Sequence, residues 1–216
     1  FPGALPNISS TKPRKEISSM SAGISRRDIL KTLALSAVGG SVLKVIPAQA
    51  AEYAHQAVQK AKAASSGKYT PKYFTPHQYE TLTSLCETII PKDEKSAGAI
   101  EAGAPEFIDL LTSENEKYRL RLGGGLYWLD GFCSDRYNAT YLDCTPEQKK
   151  SVLDLIAFRK NAKADLTLSQ GVVFFAFVRN LTCDAFYTSK IGIADLQYIG
   201  NTALPEFPGC PPLPEA

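Results

Sequence analysis

The sequence predicts a mainly α fold, a single compact helical domain with an extended Pro/Gly-rich C-terminal tail. Three observations carry that expectation. No stretch sustains the apolar/polar alternation of a half-buried strand. Apolar residues recur instead at i, i+3, i+4 and i+7 in several segments. Helix start signals stand at the head of those segments, twice as the same Thr-Pro-x-Gln box.

Taken in order, residues 51–74 are Ala/Lys/Ser-rich and weakly patterned, which reads as a tether with some helix up to Lys62. At Thr75-Pro76-His77-Gln78 the Thr is an N-cap, the Pro suits the first helical position, and Gln completes a capping box. Tyr79, Leu82, Leu85, Cys86 and Ile89 line one face of that helix, and Pro91 ends it. A short helix is expected from Pro105 ("APEFIDLL"). Ser113 with Glu116 reads as a third box, ahead of Leu122, Leu126, Leu129, Phe132 and Cys133. That segment contains "LGGGLYW", and three glycines in a helix cost about 1 kcal/mol each against Ala. A break in the helix, close packing of another element, or contact with a partner would offset the cost. The box at Thr145-Pro146-Glu147-Gln148 opens a helix with Val152, Leu153, Leu155 and Ile156. The run "VVFFAFV" is read as part of a core helix from Ser169 to about Ser189, because apolar spacing continues through Leu181, Phe186 and Tyr187. The helical domain is thus expected over 75–192, and the tail over 193–216.

Residues 1–50 read as a leader. They hold seven Lys/Arg against two Asp/Glu, while the remainder holds seventeen against twenty, so a leader of +5 precedes a body of −3. An acidic body offers no basic patch to nucleic acid, and no nucleic-acid partner is expected. The pattern Ser25-Arg26-Arg27-Asp28-Ile29-Leu30-Lys31 matches a twin-arginine export signal, with Arg26, Arg27, Leu30 and Lys31 as its determinants. The apolar stretch from Thr32 to Leu43 would span about 18 Å as a helix, short of the ~30 Å of a bilayer core. Small residues at Ala48 and Ala50 predict peptidase cleavage after Ala50. The expected location is the periplasm, reached through the twin-arginine translocase.

The chemical inventory is thin. His55 and His77 are the two histidines, and neither sits at metal-ligand spacing with Cys or carboxylates. There is no Cys-x-x-Cys, no Gly-x-Ser-x-Gly elbow and no Gly-x-Gly-x-x-Gly fingerprint. No catalytic, cofactor-binding or metal-binding residue is therefore assigned. Of the five cysteines, Cys133 and Cys144 flank the polar connection "SDRYNATYLD" and are the best intrachain pair. Cys210 lies in the tail, free to reach Cys183, a partner chain or nothing, and Cys86 reads as a buried thiol.

The C-terminal third, "FFAFVRNLTCDAFYTSKIGIADLQYIGNTALPEFPGC", resembles the small subunit known as gluconate 2-dehydrogenase subunit 3. The shared features include Tyr187-Thr188-Ser189, Ile191-Gly192, Tyr198-Ile199-Gly200-Asn201 and Pro208-Gly209-Cys210. Upstream, "LTSLCETIIPKDEKSAGAIEAGAPEFIDLL", "GLYWLDGFC" and "TPEQKKSVLDLIA" fall in family order, so the similarity spans about residues 75–210. Cys183 stands at a position that is usually apolar in the family, which weakens a Cys183–Cys210 bridge.

The resemblance implies a non-catalytic partner of a large FAD-containing flavoprotein of the glucose–methanol–choline type. Such complexes oxidise sugars, sugar acids or glucosides and pass electrons to a c-type cytochrome. The "QYIGN…EFPGC" tail leans towards glucoside 3-dehydrogenase-like complexes. FAD is expected in the partner and no cofactor in this chain, whose contact with a membrane would come through the complex. The aromatic C-terminal third, with Phe186, Tyr187, Tyr198 and Phe207, is the expected partner interface. Two other readings stand beside this one. One is a self-sufficient hydrolase using Ser189 or Cys183 with His77, and the other is an electron-transfer subunit with its own redox centre.

Overall fold

The computed structural model describes residues 47–200, and within them all regular structure is helical. The order is α1 (Ala48–Ala64), α2 (Pro76–Ile89), α3 (Ala104–Glu114), α4 (Glu116–Tyr137), α5 (Pro146–Ile156), α6 (Arg159–Ala164), a 3₁₀ turn (Leu166–Leu168), α7 (Ser169–Tyr187) and α8 (Lys190–Asp195). The predicted mainly α class holds, and the expected extended tail lies, from residue 201 on, outside the described residues.

Two helices make the centre. α3 buries Phe107, Ile108, Leu110 and Leu111 together with its polar Asp109 and Thr112, and it packs against α1, α2, α4 and α7. α7 buries Val172, Phe174, Val178, Leu181, Ala185 and Phe186, and it touches α2 through α6 and α8. Counting the 3₁₀ turn, Leu166–Tyr187 is long and apolar enough to cross a bilayer by length and composition. Its packing on six helices explains that composition as a core helix, as the run "VVFFAFV" predicted.

Both Thr-Pro-x-Gln boxes form as the sequence demands. Thr75 Oγ1 accepts from the Gln78 amide (3.3 Å), while Gln78 Oε1 accepts from the Thr75 amide (3.1 Å). Thr145 and Gln148 repeat this at 3.3 and 2.9 Å. The third box does not form. Ser113 lies inside α3, where its hydroxyl donates to the Leu110 carbonyl (2.7 Å), and the cap of α4 is Asn115, which accepts from the Lys117 amide (3.0 Å). Only one residue separates α3 from α4, and an Asn can cap the second helix in that space where Ser113 is still needed by the first.

Residues 51–74 are not a free tether. α1 buries Ala50, Ala51, Ala54 and Val58 against α3, a face too small-sided to register as an apolar stripe. Lys62 Nζ meets Glu106 (2.6 Å), and His55 Nε2 lies 2.9 Å from Thr188 Oγ1 while its ring leans on Phe107 at 4.8 Å. The link into α2 is held by the fully buried Asp109. Its carboxylate accepts from the Tyr69 hydroxyl (2.8 Å) and from the amides of Lys72 (2.7 Å), Tyr73 (3.1 Å) and Phe74 (3.1 Å). Four donors replace the water that a buried carboxylate gives up. Burial and the Asp109 charge together push the Tyr69 phenol up, so it remains a donor.

Candidate functional site

Antiparallel packing of α4 on α7 brings the glycine run of α4 to a defined place. Tyr118 meets Phe177 edge-on (5.1 Å), Gly125 faces Phe174, and Trp128 faces Gly171, so the chain directions oppose. A Cβ on Gly125 would lie 1.9 Å from the Phe174 ring, and one on Gly171 would lie 2.2 Å from Trp128. The helix therefore does not break at "LGGG". Close packing accounts for the third glycine of that run, and the partner across it is an aromatic ring rather than backbone.

Gly124 has no such reason, since a Cβ there would meet nothing nearer than Gln170 Nε2 at 4.0 Å. That same amide donates to the Gly124 carbonyl (3.4 Å) and joins two stripes on the solvent side of the helix pair. One turn either side of Gly124 stand Leu120 and Tyr127, 80% and 81% exposed. One turn either side of Gln170 stand Leu166 and Val173, 80% and 63% exposed. Antiparallel packing sets Leu120 towards Val173 and Tyr127 towards Leu166. Arg121, stacked over Phe177 at 5.3 Å, closes one end of the face. Four large apolar side chains around a flat Gly–Gln centre make a surface suited to another protein. The sequence carried a signal for it: Leu120 and Tyr127 lie opposite the Leu122–Leu126–Leu129 face, on the same stripe as Gly124.

The residues expected at a partner interface divide. Phe186 is 2% exposed and belongs to the core, because α7 directs it inward with Ala185 and Leu181. Tyr187 and Tyr198 are at the surface, 44% and 54% exposed, near the exposed Ile193, Leu196 and Ile199. Phe207 and Cys210 lie outside the described residues, as do Arg26, Arg27, Leu30 and Lys31 of the export signal. Ala48 is exposed in the first turn of α1, but Ala50 is 2% exposed and Ala51 1%. Cleavage after Ala50 would require that turn to leave the core, since proteases act on exposed, extended chain.

Cys133 and Cys144 are brought together as thiols, and Cys86 and Cys183 are thiols as well. Burial holds the Cys86 thiol up at about 12, with its sulfur 3.5 Å from Thr182 Oγ1. Of the residues considered for a hydrolase, Ser189 and His77 are engaged elsewhere. Ser189 donates to the Phe186 carbonyl (2.7 Å) and caps α8 by accepting from the Gly192 amide (3.0 Å). His77 Nε2 is paired with Asp130 (2.7 Å), whose other oxygen accepts from the Tyr141 amide (3.0 Å). That arrangement ties α2 and the α4–α5 connection to α4. No group of three or more His, Cys, Asp or Glu among the described residues is arranged to hold a metal. An open groove of about 410 Å³ along α5 is lined by Glu147, Lys150, Ser151, Asp154 and Leu155, and there Lys150 is already paired with Asp154 (2.6 Å).

Neither a curated protein nor a solved structure matches the chain. A protein-family model does, that of gluconate 2-dehydrogenase subunit 3, over residues 76–209. The match runs from the first capped helix through both faces described above and into the Pro-rich end. It covers more than half of the sequence and agrees with the motifs "PEFID", "GLYWLDGFC" and "QYIGN", so the chain belongs to the gluconate 2-dehydrogenase subunit 3 family of dehydrogenase-complex subunits.

Proposed function

We propose that this chain is the non-catalytic small subunit of a periplasmic, FAD-dependent sugar or glucoside dehydrogenase complex. It binds and stabilises a large flavoprotein of the glucose–methanol–choline type, which holds the FAD and performs the oxidation. A c-type cytochrome takes the electrons. The small subunit supplies the twin-arginine signal for both chains, because FAD is bound in a folded protein and export must then follow folding.

The observation that carries this reading is the α4–α7 face. Leu120, Tyr127, Leu166 and Val173 are exposed around Gly124 and Gln170 in a chain whose family is named as one subunit of a larger enzyme. Apolar surface of that kind is what an interface covers. The export role is supported by Arg26-Arg27 with Leu30 and Lys31.

Co-expression with a partner flavoprotein of the glucose–methanol–choline type tests both parts. Leu120→Glu with Tyr127→Glu puts two carboxylates on the face, and we expect at least a tenfold loss of co-purified flavoprotein with the small subunit still folded by circular dichroism. Retention of the flavoprotein at the wild-type level overturns the docking face. Arg26→Lys with Arg27→Lys should leave both chains in the cytoplasm, and flavoprotein found in the periplasm overturns the export role.

A further inference from the structure

α4 ends where Asn138 takes the left-handed conformation (φ +53) and its amide closes on the Ser134 carbonyl (2.9 Å). The chain then folds back along the last turns of the helix it has just left. Tyr141, fully buried, donates its amide to Asp130 Oδ1 (3.0 Å), and the Cys144 amide closes a tight turn on the Thr140 carbonyl (3.2 Å). This return sets Cys144, 5% exposed, and Cys133, 0% exposed, as neighbouring thiols in the same buried cluster. Tyr141 belongs to the same buried cluster.

From this juxtaposition we propose that Cys133 and Cys144 are a disulfide-forming pair that closes the α4–α5 connection into a covalent loop. In the reaction both S–H bonds break and one S–S bond forms. The two electrons and two protons pass to a second disulfide, of a thiol–disulfide oxidoreductase or of oxidised glutathione, which becomes two thiols.

The fold sets when this can happen. Burial, with Cys144 next to it, pushes the Cys133 thiol up, so the folded core holds little thiolate for exchange at neutral pH. Exchange therefore takes place before residues 139–144 dock, or when they open, and the docked bridge is shielded from reductants. A loop of this length, closed in the unfolded chain, favours the folded state roughly 100-fold in the chain-entropy view.

The experiment is a refolding of the full chain, reduced and denatured, in a glutathione redox buffer or in dithiothreitol. Each sample is alkylated in denaturant and digested with trypsin without reduction. In the glutathione sample the expected product is peptide 122–136 joined to peptide 137–149, two mass units below their sum, with Cys86 and Cys183 alkylated. The oxidised protein should melt roughly 5 °C or more above the reduced one. That difference should vanish in Cys133→Ala/Cys144→Ala, whose alanines leave no polar group in the core. Both peptides fully alkylated after oxidising refolding, or Cys133 joined to any cysteine other than Cys144, overturns the proposal. A melting difference that persists in the double variant also overturns it.

Discussion

The link from α1 into α2 and the seam between α4 and α7 are both fixed to the same core, by different physics. The link has few apolar side chains to bury beyond Tyr69 and Phe74, and Asp109 holds it through one hydroxyl and three amides. The seam has no comparable polar anchor. It is held by fit, with the Phe174 ring on Gly125 and Trp128 on Gly171. A hydrogen-bonded clamp tolerates a poorly patterned segment but depends on one acceptor, whereas a steric seam spreads its energy over many contacts and depends on the smallest residues in it.

The strongest way to break that contrast is Asp109→Ala. It leaves four donors without their acceptor, two of them buried and two half-buried, and should cost about 4 kcal/mol or more in urea unfolding. Residues 65–73 should become protease-sensitive at the same time. Asp109→Asn keeps the shape and part of the bonding, so an intermediate loss is expected.

Gly125→Ala should cost less, about 1–2 kcal/mol, because overpacking against Phe174 outweighs the helix propensity gained. Phe174→Leu in the same chain should recover part of the loss. Gly124→Ala is the opposite case. With the new Cβ no nearer than 4.0 Å to Gln170 Nε2, the free chain should gain about 0.5–1 kcal/mol. Equal losses at the two glycines would show that the seam is not the reason for Gly125.

The smallest effect concerns the staple of α1 on α7. Burial lowers the His55 pKa from 6.5, so the folded state favours the neutral ring and the unfolded chain takes the proton first. Its contribution is present above pH 6.5, declines as pH falls below that value, and is gone beneath the lowered folded pKa. His55→Gln should flatten the dependence of Tm on pH in that window. An unchanged slope would show that other groups carry it.

Sequence alone went far with the helices and less far with the surface. The two Thr-Pro-x-Gln boxes fixed the starts of α2 and α5 because a cap is a local bond between residues three apart. α7 was legible from the spacing of its apolar side chains. Helix up to Lys62 was legible in α1 but its docking was not, since Ala50, Ala51 and Ala54 are too small to mark an apolar face, and their burial depends on α3 lying opposite. Phe186 was assigned to an interface and Leu120 was overlooked for one reason: composition counts aromatics, but only the packing of α7 and of α4 decides which side of each faces water.

The sequence by itself therefore determined what is encoded within a few residues: the helical class, the two capping boxes, the family motifs, and the contrast between basic residues 1–50 and an acidic remainder. Tertiary structure decided what depends on partners far along the chain. It set which carboxylate would gather residues 69–74, which glycine of "GGG" would meet a ring and which would face solvent, and that Cys144 would return to Cys133. Caps and periodicity are local free-energy terms, whereas burial is a property of the surface that another element covers.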